Sequence, residues 1–495
     1  MTLTVGQDGK TQDFPVEAGE NLLRALQRNG QLLSAVCGGN RSCGKCKLRL
    51  LSPIPAPTAS DEKHLSAAEL AAGIRLACAV DLTQDTAIEL LSAAIQTERS
   101  PAKAAFAPGE VLHAVVDIGT TTVAAAVVND AGEILAGETR HNAQAVFAAD
   151  VIGRVREANA GKLGELTAAI RGQLDEMLQN VLGGAVPQEI TVSGNTVMLH
   201  LLFGASCAGL GSHPYTPEFL EAQSVPAADL EIHIPTTLQT LPCISVFAGA
   251  DITAGILSEG EKSGGYTLLF DLGTNAEIAL FDETHSYTTS AAAGPVFEGG
   301  SIQQGMAATN GAIYAFSLEN GTGSAKTIAD AAPVGICGSG LIDISAALLQ
   351  NGLVDDSGRL LSGDAYPLAG DVAITAQDIR AIQLAKAAIA AAADLLLVHA
   401  GIDYPQLARV AISGGLGSAV NPASAAAIGL IPTECLDRTF AAGNSSLNGS
   451  ICYATRPNAR ALAEKIALDA PYLDLSAHPD FMDKYIDHMQ FSNFS

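Results

Sequence analysis

The stretch VLHAVVDIGTTTVAAAVVND, residues 111–130, decides the fold class of this 495-residue chain. Two apolar runs rich in Val and Ala flank D-I-G-T-T, which reads as a strand, a tight turn and a second strand. The design returns in YTLLFDLGTNAEIALFDE, residues 266–283, with D-L-G-T-N at the turn. Asp117 and Asp271 stand 154 positions apart, so the chain reads as two homologous half-domains, each opening on the same hairpin. An Asp at the end of a buried strand, followed by Gly and Thr in a tight turn, suits a nucleotide phosphate. The turn's N–H groups and the Thr hydroxyls face phosphate oxygens. The carboxylate holds Mg²⁺, usually through water, or orients the attacking water. One such turn is weak evidence; two that open two halves are much stronger.

A third element extends the pattern. VAISGGLGS, residues 410–418, is a strand running into Gly414, Gly415 and Gly417, where a backbone without side chains can lie against an adenosine. The order phosphate hairpin, phosphate hairpin, adenosine turn resembles the actin, Hsp70 and sugar-kinase superfamily. That resemblance implies an RNase H-like, two-lobed α/β ATPase. It makes SVFAGADITAGIL (245–257) the first connecting helix and AAGNSSLNGSICYA (441–454) the second. A Walker-type ATPase is not supported, because G-x-x-x-x-G-K-[ST] does not occur. Helical runs at 164–182, 376–400 and 458–468 alternate with short strands such as EITVSG, which again reads as α/β.

The first ninety-odd residues have another texture. TLTVGQDGKTQDFPV reads as a hairpin turning at Asp8–Gly9. A helix through Leu22, Leu23 and Leu26 follows, stopped by Gly30. Next comes VCGGNRSCGKCKLRL, residues 36–50, with Cys37, Cys43 and Cys46 spaced C-x5-C-x2-C. Four thiolates hold a [2Fe–2S] cluster, and Cys78 in LACAVD is the obvious fourth. Gly38, Gly39 and Gly44 would let the loop wrap bridging sulfides with its N–H groups aimed at sulfur. Structural zinc sites usually pair two C-x2-C units, and only one such unit is present. Strand, helix, cysteine loop, strand and distant cysteine resemble a ferredoxin of the β-grasp type. Cys207, Cys243, Cys337, Cys435 and Cys452 are isolated and read as buried residues.

Charge separates the two parts. The net charge is −25, yet residues 1–97 hold 9 Lys+Arg against 10 Asp+Glu. Such acidity argues against nucleic acid and anionic membrane as partners. Arg41, Lys45, Lys47 and Arg49 around the cysteines read as a solvated face, or as a patch offsetting the cluster or docking an acidic partner. No signal peptide and no run of about 18 uncharged apolar residues is visible, so a cytoplasmic chain is expected. The nearest candidate, LAKAAIAAAADLLLVHAGI, carries Lys386, Asp394 and His399. The expected domains are a ferredoxin over 1–96, a linker over 97–110 and an ATPase over 111–495, its halves meeting near 262/263.

A [2Fe–2S] ferredoxin joined to an actin-like ATPase resembles the reductive activators of corrinoid proteins. CGGNRSCGKC, DIGTTTVA, SGNTVMLHLLFG, HPYTPEF, FDLGTNAEIAL, AAAGPVFEGGSI, GICGSGLIDI and AISGGLGS carry the resemblance. It implies ATP-dependent reduction of a Co(II) corrinoid to Co(I), with [2Fe–2S], ATP and Mg²⁺ as cofactors. The implied partner is a corrinoid methyl-transfer protein or cobalamin-dependent methyltransferase, with an unidentified electron donor and a tendency to dimerise. Larger members carry a further domain between ferredoxin and ATPase, where this chain has a short linker. Cys37, Cys43, Cys46 and Cys78 become the cluster ligands. Asp117, Gly119, Thr120 and Thr121 become one phosphate hairpin, and Asp271, Gly273, Thr274 and Asn275 the other. Glu298 is expected to cap a helix or lie at the surface, with water or Mg²⁺ orientation as the alternative. Three further readings stay open: an activator of another metalloenzyme, a small-molecule kinase with a redox domain, and an actin-like scaffold or chaperone ATPase.

Overall fold

The computed structural model describes the chain except residues 8–9, 30, 32, 34–38, 40, 42–43, 92–105, 108, 261–263, 320, 417–418 and 492–495. Cys37, Cys43, Gly38, Gly417, the Asp8–Gly9 turn, the Gly30 stop and most of the expected linker lie outside the described residues.

The N-terminal part is a five-stranded sheet clasping one helix. Thr2–Gln7 pairs antiparallel with Lys10–Pro15 and parallel with Thr86–Glu89, which in turn pairs with Lys47–Ser52 and through it Ile74–Leu76. Leu22 and Leu26 of the helix Leu22–Arg28 are fully buried with Leu3, Leu48, Leu76 and Ile88, each contributing roughly 1.5–3 kcal/mol by leaving water. The sequence reading missed one element. Ala59–His64 is a helix whose capping box, Thr58 and Asp61, was hidden behind a proline-rich run. Cys78 lies not on a strand but in the short 3-10 turn Ala77–Ala79 that follows one.

Two lobes follow, built on the same plan. In the first, Leu112–Ile118 pairs antiparallel with Thr122–Asn129 and parallel with Glu189–Gly194. In the second, Tyr266–Leu272 pairs antiparallel with Ala276–Phe281 and parallel with Leu407–Ser413. The equivalence holds to the residue: Asp117 is in register with Ser193, and Asp271 with Ser413. Helix Leu163–Leu182 covers the first sheet with Leu166, Ile170, Leu174, Met177 and Val181, a 3.6-residue stripe. Helix Ala376–Ala400 serves the second lobe and is buried over most of its length. Among the described residues it is the one helix long and apolar enough to cross a membrane, and 78% of its most apolar window is buried in the protein.

The lobes are joined by two crossed helices, Ala250–Gly260 and Ser445–Thr455. A Cβ on Gly449 would come 1.9 Å from the Ala254 carbonyl oxygen, so only glycine permits this crossing. Both helices match the expected connecting helices, each starting four or five residues later than its quoted stretch.

Candidate functional site

Both phosphate-type hairpins open into the cleft between the lobes, and both connecting helices begin there. Asp117 ends its strand against the start of helix Ser445–Thr455. Its carboxylate accepts from Ser446 Oγ at 2.8 Å and from Asn444 Nδ2 at 2.8 Å. Asp251 lies in the first turn of helix Ala250–Gly260. Asp271 ends the equivalent strand of the second lobe, opposite Glu277 in register. Gly414, at φ +90°, leaves room for Asp271: a Cβ there would stand 2.5 Å from its Oδ1. Gly414 therefore accommodates a carboxylate, whereas around Gly415 the space is open.

These acids crowd one another. Burial pushes the Asp271 carboxyl up to about 8, helped by the Asp251 and Asp117 carboxylates. Burial likewise raises Asp117. Asp251 is raised by burial and then by Asp117, and Glu277 by burial and then by Asp251 and Asp271. Each nevertheless keeps part of its surface exposed. Carboxylates and hydroxyls form an all-oxygen donor set, which suits a hard cation such as Mg²⁺. No three His, Cys, Asp or Glu converge as direct ligands among the described residues. Mg²⁺ held through waters and nucleotide phosphates, its usual habit, fits that geometry.

The turns themselves are tight. Gly119 has Thr122 O 2.7 Å from where a Cβ would stand, and Gly273 N donates to Asn275 O at 3.0 Å. Asn195 Nδ2 donates to Thr120 Oγ1 at 3.1 Å, and Asn142 Nδ2 to Gly119 O at 2.8 Å. Arg154 is fully buried beneath the first hairpin and donates to Thr120 O at 2.6 Å and Ala148 O at 3.1 Å. Its burial lowers the guanidinium to about 9, against which Asp150 and Glu298 hold it charged. Neither Arg154 nor Asp251 carries a local sequence signal; the former sits in the short helix Val151–Glu157, the latter in a helix expected only as a connector.

Glu298 corrects an expectation. It is neither a cap nor at the surface: Thr121 Oγ1 donates to its Oε1 at 3.2 Å and Thr274 Oγ1 to its Oε2 at 2.8 Å. Its carboxyl is raised by burial, with the two hydroxyls and Arg154 pulling the other way.

In the N-terminal domain, Cys46 and Cys78 are brought together, the Cys78 N–H pointing at Cys46 Sγ at 3.5 Å. Gly39 and Gly44 are both left-handed, and Gly39 lies over Leu23 and Cys78. A Cβ on Gly44 would meet the His64 Cβ at 2.7 Å. Two buried thiols, an N–H aimed at sulfur and a loop closed by glycines fit a [2Fe–2S] centre. The basic residues around them are already engaged. Arg41 Nε donates to Cys78 O at 3.2 Å, Lys47 pairs with Glu69 at 2.7 Å and Arg49 with Glu89 at 2.7 Å. Lys45 reaches the second lobe, bonding Ile302 O and, at 2.9 Å, Gln303 O. These contacts tie the patch together while Arg41, Lys47 and Arg49 stay partly open to solvent, as a solvated face requires. Cys337 is buried, its thiol on Ile313 O, and Cys207, Cys243 and Cys435 are buried too.

Comparison with known proteins gives three family matches along the chain. Residues 5–83 match the 2Fe-2S iron-sulfur cluster binding domain, 112–262 the RACo middle region, and 265–495 the C-terminal domain of RACo, the ASKHA domain. A corrinoid activation enzyme, RamQ of Eubacterium limosum, is 30% identical over 414 residues, covering 76% of this chain and 70% of that protein. The chain belongs to the corrinoid activation enzyme family. A [Co(II) methylated amine-specific corrinoid protein] reductase of Methanosarcina barkeri is 31% identical over 260 residues, 47% of this chain and 45% of that one. The solved structure of a reductive activator for a corrinoid, iron-sulfur protein superposes with a TM-score of 0.69 at 26% identity, covering 99% of both chains. Along this chain a ferredoxin-type domain thus precedes an ASKHA ATPase domain, and the family's middle region is the first lobe.

Proposed function

We propose that this chain is an ATP-dependent reductive activator that returns the Co(II) corrinoid of a partner protein to Co(I). The observation that carries the reading is the pairing, in one chain, of a cysteine-loop domain with a two-hairpin cleft whose carboxylates call for Mg²⁺. Cys37, Cys43, Cys46 and Cys78 would hold a [2Fe–2S] cluster, which would supply one electron at a time. Asp117, Gly119, Thr120 and Thr121 bind one end of the triphosphate, and Asp271, Gly273, Thr274 and Asn275 the other. Gly414, Gly415 and Gly417 accommodate the adenosine, and Gly414 also gives Asp271 its place. Asp251, at the start of its helix, orients water or Mg²⁺ with Asp271.

The energetic need is simple. For one electron, about 60 mV is a factor of ten, or about 1.4 kcal/mol. A deficit of a few hundred millivolts toward Co(I) therefore costs several kcal/mol, within the reach of ATP binding and hydrolysis. The partner is a corrinoid methyl-transfer protein or cobalamin-dependent methyltransferase, and the working unit a homodimer. The domains run 1–96 and 111–495, joined by 97–110, with the halves meeting near 262/263.

The test is anaerobic. Purified protein, a low-potential reductant and MgATP should convert a Co(II) corrinoid protein to Co(I), read by visible absorption. Failure with several corrinoid proteins, despite an intact one-electron cluster signal, would overturn the assignment. Sedimentation of the same sample reads the dimer.

A further inference from the structure

The ferredoxin-type domain touches both lobes. Its helix Leu22–Arg28 lies beside the turn Ala143–Val146 of the first lobe, and Arg24 is close enough to Glu157 to act on its charge. Its cysteine loop meets the second lobe through Lys45, whose ammonium bonds the carbonyls of Ile302 and Gln303. Lys45 is the residue directly before Cys46.

Those carbonyls lie four and five residues beyond Glu298, the carboxylate that holds Thr121 of one lobe and Thr274 of the other. The intervening turn is closely packed. Gly300 N donates to Pro295 O at 2.7 Å, Gly305 N to Ile302 O at 3.2 Å, and Gln303 N to Asp378 Oδ1 at 2.7 Å. A Cβ on Gly305 would stand 2.3 Å from Gly299 O, so the segment has no slack to absorb a shift.

On the reading of the cleft as a nucleotide site, phosphate oxygens compete with Glu298 for the two threonine hydroxyls. A rotation of the lobes about the crossed helices would break one of the two contacts made by a domain seated on both lobes. Resting on the reading of the cleft as a nucleotide site, we propose that Lys45 is the positioning residue that passes nucleotide binding on to the cysteine loop, with Glu298 as the latch between the phosphate hairpins.

Hydrogen exchange of the full, cluster-loaded chain tests this, with and without a non-hydrolysable MgATP analogue and with nucleotide affinity measured in parallel by calorimetry. In the wild type, nucleotide should speed exchange over residues 44–52 about tenfold, the effect of losing one charge-assisted hydrogen bond on a local opening equilibrium. Lys45→Met should exchange at the fast rate in both conditions and, because the contact no longer has to be broken, bind the analogue up to about tenfold more tightly. Lys45→Arg should restore the response, and Lys47→Met, whose partner is Glu69 within the same domain, should keep it. The EPR line shape of the reduced cluster should follow the same pattern. A Lys45→Met protein that still responds, or a wild type that binds the analogue without any change over 44–52, overturns the proposal and leaves the ATPase reading intact. A wild type that binds no analogue overturns the cleft reading itself.

Discussion

Glu298 accepts one hydrogen bond from Thr121 and one from Thr274, so a single buried carboxylate ties the phosphate hairpins of both lobes together. The two threonines are 153 residues apart in sequence and meet only because the hairpins face each other across the cleft.

Replacing that carboxylate should favour phosphate. Glu298→Gln removes a negative charge from beside the triphosphate and weakens the grip on both hydroxyls. MgATP should bind about threefold to tenfold more tightly, the scale of one charged hydrogen bond. Calorimetry reads it; weaker binding would show that Glu298 instead supports the nucleotide-bound site.

The two halves of the chemistry should separate by mutation. Asp271→Asn should lower MgATP hydrolysis by about a hundredfold or more while leaving the cluster spectrum unchanged. Because burial and the Asp251 and Asp117 carboxylates disfavour a charged Asp271, the same variant should melt no lower than the wild type without nucleotide. Cys78→Ser should do the reverse, losing the one-electron signal and corrinoid reduction while calorimetry still detects MgATP binding.

The crossing of the connecting helices can be probed directly. A methyl group on residue 449 would overlap the Ala254 carbonyl, 1.9 Å away, and the backbone must yield. Gly449→Ala should destabilise the ATPase lobes by about 2–3 kcal/mol, seen as a lower melting temperature and urea midpoint. Gly415→Ala, where the space is open, should cost less than 1 kcal/mol and act as the control.

How much of this was legible in the sequence follows from what kind of signal each residue leaves. The hairpins were legible because D-x-G-T between two apolar runs is local, and its repetition at 266–283 is visible without a structure. The cysteine loop was legible by spacing. Glu298, Arg154 and Asp251 were not, because their roles are fixed by elements far away in the chain: Glu298 by Thr121, Arg154 by the Thr120 carbonyl and Asp251 by Asp117. Lys45 was not legible for the same reason: its bond to the Ile302 carbonyl joins residues 257 apart, although the basic residues beside it do lie at a partly solvated face.

A last prediction concerns pH. Lys386 is fully buried in helix Ala376–Ala400, donating to the Gln490 carbonyl and facing the Phe491 ring at 5.6 Å. No carboxylate pairs with it among the described residues, and burial lowers its ammonium to about 7. In the unfolded chain a lysine holds its proton up to about 10.4. Between those values the unfolded state carries the extra proton, so folding stability rises with pH across that window. Below about 7 both states are protonated, and the folded one bears the full cost of a buried charge. The wild type should therefore gain a few kcal/mol relative to Lys386→Met as pH rises from about 7 to about 10. Denaturant midpoints of the two proteins, measured in parallel across that range, check it. Parallel midpoints would mean that water or a shift of the 481–491 segment, which packs on this helix, keeps the ammonium charged.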